Sequence, residues 1–510
     1  MELLLGIDAG TTSVKAGLFS PEGQCLALAR QEYQLSTPHA SWAELDPEIY
    51  WQACVTVTKK VLQQANIKPE NVAALSVSSQ GETMIALDPK GRPIYPAIVW
   101  FDNRATDAAD KLAKKFSSEA YRTTGIPEII PTWTACKILW LKQNEPEIFA
   151  RANKFLLVQD YLIYRLTGEY ATNGSVSCTT LYYDIVHHCW WQSILDEIGI
   201  GINHLPGLGS PGAVAGNITE EASEQIGLPQ TTRVVGGGMD QSVGAIGAGN
   251  IRPGIVSETT GAALTVQVTI PSPDADRNKA IPVYAHSVPE DYLFVPVCPT
   301  AGMAYKWFRD TFAGQEIATA EKEGVDSYDQ LNLLAVEAPP GCDGLVMLPH
   351  LMGAFSPDPN TAARGSFTGF TLSHGRSHFA RAVLEGVAFM LKRNLDVLQQ
   401  VGVEVGEIRS TGGGARSPLW NQIKANVCNR PVITLLNEET ALLGDAILAG
   451  VASGIFQTID EGCASMVTVK DKVMPNDQAE AYIKPYQMYC NLDRVLGDYY
   501  VRQYGDSRKD

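Results

Sequence analysis

The stretch Leu3-Leu4-Leu5-Gly6-Ile7-Asp8-Ala9-Gly10-Thr11-Thr12-Ser13-Val14-Lys15-Ala16-Gly17-Leu18-Phe19 decides how the rest of the chain is read. An apolar run ends in Asp8-Ala9-Gly10-Thr11-Thr12-Ser13, and a second apolar run from Val14 follows at once. The pattern predicts a strand, a tight turn and a second strand, with a carboxylate at the end of the first. Gly10 allows positive φ and a close ligand approach, while Thr11, Thr12 and Ser13 add hydroxyl donors. Donors converging on one small turn suit a phosphate, and Asp8 suits a magnesium ion beside it. The same residues also suit a plain hairpin turn, so this stretch alone leaves both readings open.

At 510 residues the chain exceeds one hydrophobic core, and two or three domains are expected. A formal charge of −16 with no basic stripe argues against a nucleic-acid or anionic-membrane surface. It leaves room for an anionic ligand held by backbone amides and magnesium. The 10 cysteines are scattered from Cys25 to Cys490 without a C-x-x-C pair, which reads as buried thiols in a reducing compartment. The chain begins directly in a strand, without a basic leader, and no apolar run reaches membrane-spanning length. These features lead to the expectation of a soluble cytoplasmic protein.

Along the chain, Asp46-Pro47-Glu48 marks a helix start ahead of an apolar-periodic run through Ala65. Val72–Ser78 reads as a strand running into Gln80-Gly81-Glu82, and Ala97–Trp100 as another running into Phe101-Asp102-Asn103-Arg104. A helix from about Ala105 to Phe116 follows. Polar clusters at strand ends are where ligand sites form in open α/β sheets, so both clusters are substrate-pocket candidates. Asp102 equally suits a helix cap, and Glu82 a solvated loop charge. Residues 130–170 read as helices with Trp133 and Lys137 among their apolar positions. The adjacent pair His187-His188 cannot turn both rings to one side of a regular element, so packing or surface roles are expected rather than metal binding.

Val234–Asp240 is a strand ending in glycines and a carboxylate, followed by a helix of small residues, Gln241–Gly247. Asp240 suits the helix N-cap, a position that would lower its pKa, or a rigid strand-end base, or both. The segment Gly254–Val266 repeats the opening pattern: apolar strand, Thr259-Thr260-Gly261 turn, apolar strand. Two copies of one unit suggest two similar domains with a ligand between them, divided near Asn250–Pro253. Gly341–Leu348 and Gly365–Leu372 look strand-like, and His378–Gln400 is a long helix. Ile408–Thr411 runs into three glycines, Gly412 to Gly414, ahead of a helix at Pro418–Cys428. Ala441–Ala452 is a further small-residue helix. Ala479–Arg502 closes the chain before the polar end Asp506–Asp510. The expected division is 1–250, 251–475, and a terminal helix and tail from 476 to 510.

The order of these parts resembles the FGGY carbohydrate kinases, a branch of the actin/Hsp70/sugar-kinase superfamily, over nearly the whole chain. Ile7–Thr12 is similar to the family's first phosphate loop, and Trp100–Arg104 to its Trp-x-Asp-x-Arg. Thr134–Leu141 falls on one family signature, and Gly365–Gly369 with His378–Glu385 on another. Gly413–Ser417 resembles the adenine-side loop. The resemblance implies an α/β protein of two ribonuclease H-like domains closing on Mg-ATP and a sugar or polyol. It implies Asp240 as general base, and Asp8 and Asp240 as the carboxylates nearest magnesium. The ATP side would be formed by Asp8, Gly10, Thr11, Thr12, Ser13, Lys15, Thr260, Gly261, Gly413, Gly414, Ala415 and Ser417. The acceptor pocket would be formed by Gln80, Gly81, Glu82, Asp102, Arg104, Trp133, Asp240 and Gln241. The implied chemistry is in-line phosphoryl transfer, dominated by positioning and charge stabilisation.

The N-terminal half is laid out most like xylulose kinases, yet Gln80-Gly81-Glu82 stands where they carry Gln-Met-His. Gln80, Glu82, Thr83 and the pair Asp240-Gln241 agree better with glycerol kinases. Their substrate-facing aromatic residue falls on Thr132. Gly353–Pro357 lacks the Glu-Arg of many pentulose and gluconate kinases. The expected acceptor is a pentulose or related polyol, D-xylulose first, with glycerol, erythritol, ribulose and gluconate as alternatives. An actin- or Hsp70-like ATPase without a small acceptor is the alternative of another class. Expected partners are the small-molecule substrate and a second copy in a homodimer, with no nucleic acid and no membrane.

Overall fold

The computed structural model describes residues 2–273 and 281–505. Strands β1 (Leu3–Ala9), β2 (Ser13–Phe19) and β3 (Cys25–Glu32) form an antiparallel meander. With β4 (Val72–Ser79), β5 (Val214–Asn217) and β6 (Arg233–Met239) they make a sheet ordered β5-β6-β4-β1-β2-β3, in which β1, β4 and β6 run parallel. Helix α1 (Pro47–Ala65) starts where expected: the Asp46 side chain accepts from the Glu48 N–H, and Pro47 opens the first turn. Its buried face, Tyr50, Trp51, Cys54, Val57 and Val61, covers this sheet.

The C-terminal half repeats the plan. Strands β7 (Gly254–Thr260) and β8 (Leu264–Ile270) form the second hairpin. They join β9 (Val283–Ala285), β10 (Tyr292–Phe294), β11 (Val297–Cys298), β12 (Val405–Thr411), β13 (Val432–Leu435) and β14 (Val469–Val473). The order is β9-β10-β8-β7-β12-β13-β14, with β11 on β8 and with β7, β12 and β13 parallel. The molecule is thus two ribonuclease H-like α/β halves.

Four helices position the site: α2 (Asp240–Gly247), α3 (Arg376–Gln400), α4 (Pro418–Cys428) and α5 (Thr440–Ser453). The small-residue helices α2 and α5 cross at closest approach. A methyl on Gly247 would lie 1.8 Å from the Thr440 carbonyl oxygen, and one on Gly444 would lie 2.0 Å from that of Val243. Although α5 lies in sequence between two strands of the second sheet, its apolar face packs on the first, with Leu442, Ala446 and Ile447 against Leu4, Phe19 and Val235.

Several elements differ from expectation. The helix after Arg104 runs Thr106–Thr124, because its buried stripe continues through Ala120 to the left-handed Gly125. Only Val346–Leu348 and Ser366–Thr368 of the two strand-like segments pair. The closing helix divides into a 3-10 turn, Asp477–Tyr482, and a helix, Ile483–Tyr504; residues 506–510 lie outside the described residues. The His188 ring lies within hydrogen-bond reach of the Tyr183 and Tyr292 hydroxyls, and His187 sits against Asp184. Among the described residues, no helix is long and apolar enough to cross a membrane, and no group of three His, Cys, Asp or Glu side chains could hold a metal.

Candidate active site

Three cavities lie in a row along the cleft, and each shares residues with the next. The first, about 400 Å³, belongs to the C-terminal half: Gly261, Gly302, Tyr305, Tyr328, Gly413, Gly414 and Ser417 line it. Tyr305 and Tyr328 stack at 5.8 Å, and the glycines keep the opposite wall free of side chains, as a planar base requires. Gly412 has φ +75°, a conformation that favours glycine. Ser417 caps α4, accepting from the Trp420 N–H at 3.2 Å.

Gly413 and Arg416 also line the middle cavity, about 330 Å³. Here Asp8, Lys15, Asp240, Thr259 and Thr411 face the N-terminus of α5. Lys15 Nζ donates to Glu439 at 2.6 Å, and Arg416 Nε donates to Glu438 at 3.0 Å. Two cations and a helix N-terminus gathered on one cavity suit phosphates, which would compete with these glutamates.

Asp240 and Gln241 in turn line the third cavity, about 620 Å³, with Gln80, Gly81, Glu82, Trp100, Thr132, Trp133, Tyr284 and Phe355. Gln80 Nε2 donates to the Tyr50 hydroxyl at 2.9 Å, while its buried Oε1 has no partner and can take a ligand hydroxyl. Glu82 has φ +55°. Its carbonyl is held by Lys137 Nζ at 2.9 Å and Thr134 Oγ1 at 3.2 Å, which turns the carboxyl side of the residue to the cavity. Gly81 is required because a methyl there would sit 2.6 Å from Thr179 Oγ1.

Burial dominates the electrostatics. It pushes the Asp240 carboxyl up to about 7, with the Asp8 charge adding to the rise and the Gln241 N–H, donating at 2.7 Å, opposing it. Asp8 is pushed up to about 6 by burial against the pull of Lys15. Glu82 rises to about 8 by burial, opposed by Lys137, and burial lowers Lys137 to about 7. The expected lowering of Asp240 by a helix cap is therefore corrected. Met239 occupies the cap, Asp240 is the first helical residue, and desolvation outweighs the helix dipole.

Other expected site residues lie elsewhere. Asp102 accepts from the Ala43 N–H at 2.6 Å and from Arg104 Nη2 at 2.7 Å; Arg104 also pairs with Glu44 and stacks 3.7 Å from Trp42. Both side chains are fully enclosed and stand outside the acceptor cavity, bracing its wall. Asp102 does not cap the next helix, which follows Ala105. Ser13 is buried and accepts from Arg30 Nε at 3.2 Å, so its hydroxyl faces away from the cleft. Thr12 is exposed at the turn. Gly10 keeps a negative φ and donates to the Ser13 carbonyl at 3.0 Å. Thr11 accepts from Trp100 Nε1 at 2.9 Å on the rim of the acceptor cavity. The Thr260 hydroxyl is committed to Glu258 at 2.7 Å and Lys424 at 3.0 Å, which leaves Gly261 and the backbone to face the first cavity. Ala415 turns to a groove behind the glycine loop. Tyr284, Phe355, Glu438 and Glu439 line these cavities and Lys137 holds the Glu82 carbonyl, and sequence reasoning named none of them for the site. Only Lys137, a lysine inside an apolar helix, carried any signal.

A glycine-walled cavity beside stacked tyrosines, a gap carrying Lys15, Arg416 and four carboxylates, and a third cavity that meets this gap at Asp240 are the arrangement of a two-substrate sugar kinase. Residues 3–247 match the FGGY family of carbohydrate kinases, N-terminal domain, and residues 256–453 match the family's C-terminal domain; the chain belongs to this family. It is 30% identical to the xylulose kinase of Bacillus subtilis over 494 residues, 96% of this chain and 97% of that one. It is 32% identical to the gluconokinase of the same organism over 503 residues, 98% and 97% of the two chains. The solved xylulose kinase from Lactobacillus acidophilus superposes with a TM-score of 0.90 at 27% identity, covering 98% of this chain and 100% of that one.

Proposed function

We propose that this kinase transfers the γ-phosphate of ATP to a hydroxyl of a neutral ketose or polyol, with D-xylulose the first candidate, and that Asp240 is its general base. The observation that carries the reading is that Asp240 alone with Gln241 lines both the phosphate-side and the acceptor cavity. A carboxylate there can accept the hydroxyl proton as the oxygen attacks the γ-phosphorus, and a pKa near 7 matches a base working at neutral pH. ADP leaves toward the Gly413–Gly414 wall. Burial raises both Asp8 and Asp240, and the Asp8 charge raises Asp240 further; a divalent cation between them and the phosphates would relieve that cost. Asp8 and Asp240 are the residues that would hold magnesium, which supplies charge neutralisation on the phosphates.

Neutrality of the acceptor follows from the lining. Glu82, Glu128 and Asp240 face the cavity, and among the described residues no Lys, Arg or His side chain does. A sugar carboxylate would enter with no cationic side chain to pair with and with the Asp240 acid beside it, an arrangement that costs more than it returns. The rings of Trp133 and Tyr284 instead suit C–H faces, and Gln80 Oε1 suits a hydroxyl. A coupled ADP-release assay over D-xylulose, ribulose, erythritol, glycerol and gluconate tests this. A ketose or polyol should give the highest kcat/KM and gluconate the lowest. Preference for gluconate overturns the neutral acceptor, and ADP release at full rate without any acceptor overturns the two-cavity mechanism.

A further inference from the structure

Helix α5 drives one carboxylate into the sheet of the opposite half. Asp445 is completely buried; its Oδ1 accepts from Ser76 Oγ at 2.5 Å and its Oδ2 from Ser78 Oγ at 2.7 Å. Both serines are on β4, and the strands on either side clear space with glycine. A methyl on Gly237 of β6 would lie 2.3 Å from Asp445 Oδ1, and one on Gly6 of β1 would lie 3.1 Å from Asp445 Cβ. Gly6 pairs with Ser76 in register. Three adjacent strands thus form a Gly-Ser-Gly socket that receives the Asp445 side chain, with the Leu442 carbonyl of the same helix 2.3 Å from a methyl on Gly6. The rest of this contact is apolar, and a buried carboxyl is a costly way to fill space that an apolar side chain could fill. The socket also reaches the site: Ser78 Oγ stands 3.2 Å from Asp8 Oδ1, so one hydroxyl proton lies between the two carboxyls. At its N-terminus, on the same side as Asp445, α5 carries the Glu438–Glu439 loop that faces the phosphate cavity.

We propose that Asp445 is a positioning residue for the phosphate side of the site, registering α5 against the Asp8 strand and, through Ser78, orienting the Asp8 carboxylate. The inference rests on reading Asp8 as a magnesium-holding residue. Calorimetric titration of the full chain with ADP, with and without magnesium, tests it on the unaltered protein, Asp445→Ala, Asp445→Asn and Ser76→Ala. In Asp445→Ala the tightening of ADP binding by magnesium should fall roughly tenfold, with metal-free ADP affinity changed by less than about twofold. Asp445→Asn keeps the volume and an oxygen facing Ser76, and should retain most of the magnesium effect. Ser76→Ala, which leaves the carboxyl in place, should weaken the effect about two- to threefold and carries the comparison if Asp445→Ala does not fold. A lowered melting temperature with the magnesium effect intact in Asp445→Ala and Ser76→Ala makes Asp445 a packing residue and overturns this inference alone. Absence of any magnesium effect in the unaltered protein overturns the reading of Asp8, and this inference with it.

Discussion

The two hairpins at the cleft share a backbone and differ in chemistry. In the first, Asp8 pairs in register with Ser78; in the second, Thr259 pairs in register with Thr411. The side chains meet in both, at 3.2 Å and 2.8 Å, and both turns are closed by a glycine N–H at 3.0 Å, from Gly10 and Gly261. Beneath the second hairpin lies a wholly buried ion pair, Lys424 with Glu258 at 2.6 Å, which also ties down Thr260 and Ser410. Beside the first, Lys15 meets Glu439 at 2.6 Å with both side chains partly exposed. One copy of the unit is locked by a buried ion pair; the other carries a partly exposed pair on the middle cavity. The duplicated fold supplies the cradle, and a few side chains divide the labour between its copies.

Substitutions in matched positions can break this comparison. The largest effect should fall on the charged side: Asp240→Asn should lower kcat by roughly 10²–10⁴-fold while ADP affinity changes by less than about threefold, measured by turnover and calorimetry. Asp8→Asn should cost turnover far more than Thr259→Val. Equal losses would mean that the hairpins share the chemistry. Next, Lys424→Met strands the Glu258 carboxylate in the core and should destabilise the C-terminal half by about 3–5 kcal/mol in denaturant unfolding. Lys15→Met, breaking a pair open to water, should cost less than about 1 kcal/mol, and a larger loss there would make the first hairpin equally locked.

The pH dependence sharpens the same contrast. Burial raises the Asp240 carboxyl to about 7, so the base gains its proton as pH falls through that value. Below it, kcat/KM for the nucleotide should drop about tenfold per pH unit, and the hydroxyl pair of the second hairpin contributes no ionisation there. A flat profile down to pH 5 would remove Asp240 as the titrating base. The smallest effect expected is that of Arg104→Lys. Arg104 braces the wall rather than touching the acceptor cavity, so KM for the acceptor should move by less than about threefold while the melting temperature falls through loss of its stacked, bidentate contacts.

Much of this was legible in the string because strand ends, turn glycines and acid positions are local signals. The two Thr-Thr turns, the glycine-carboxylate junction at Asp240 and the glycine run before α4 stand where their patterns put them. Asp102, Arg104, Ser13 and Thr260 turn to other side chains or backbone, which the string does not show. A polar residue at a strand end looks the same whether it faces a ligand or another side chain, and only the packed partner decides: Ala43 and Trp42, Arg30, or Lys424. Tyr284 and Phe355 reach the acceptor cavity from the C-terminal half, far from the residues they face, and no periodicity records such a meeting.

The sequence by itself determined the duplicated strand–turn–strand unit and the placing of Asp8 and Asp240 at strand ends, since these depend on side-chain period and turn chemistry over a few residues; the kinase family came from the resemblance of its ordered motifs. Tertiary structure alone decided which half is locked and which is charged, that Asp240 sits where two cavities meet, and that α5 plugs the opposite sheet through Asp445. It also decided the protonation of the site. A carboxyl's pKa follows from what excludes water around it, and here the excluding groups come from both halves of the chain.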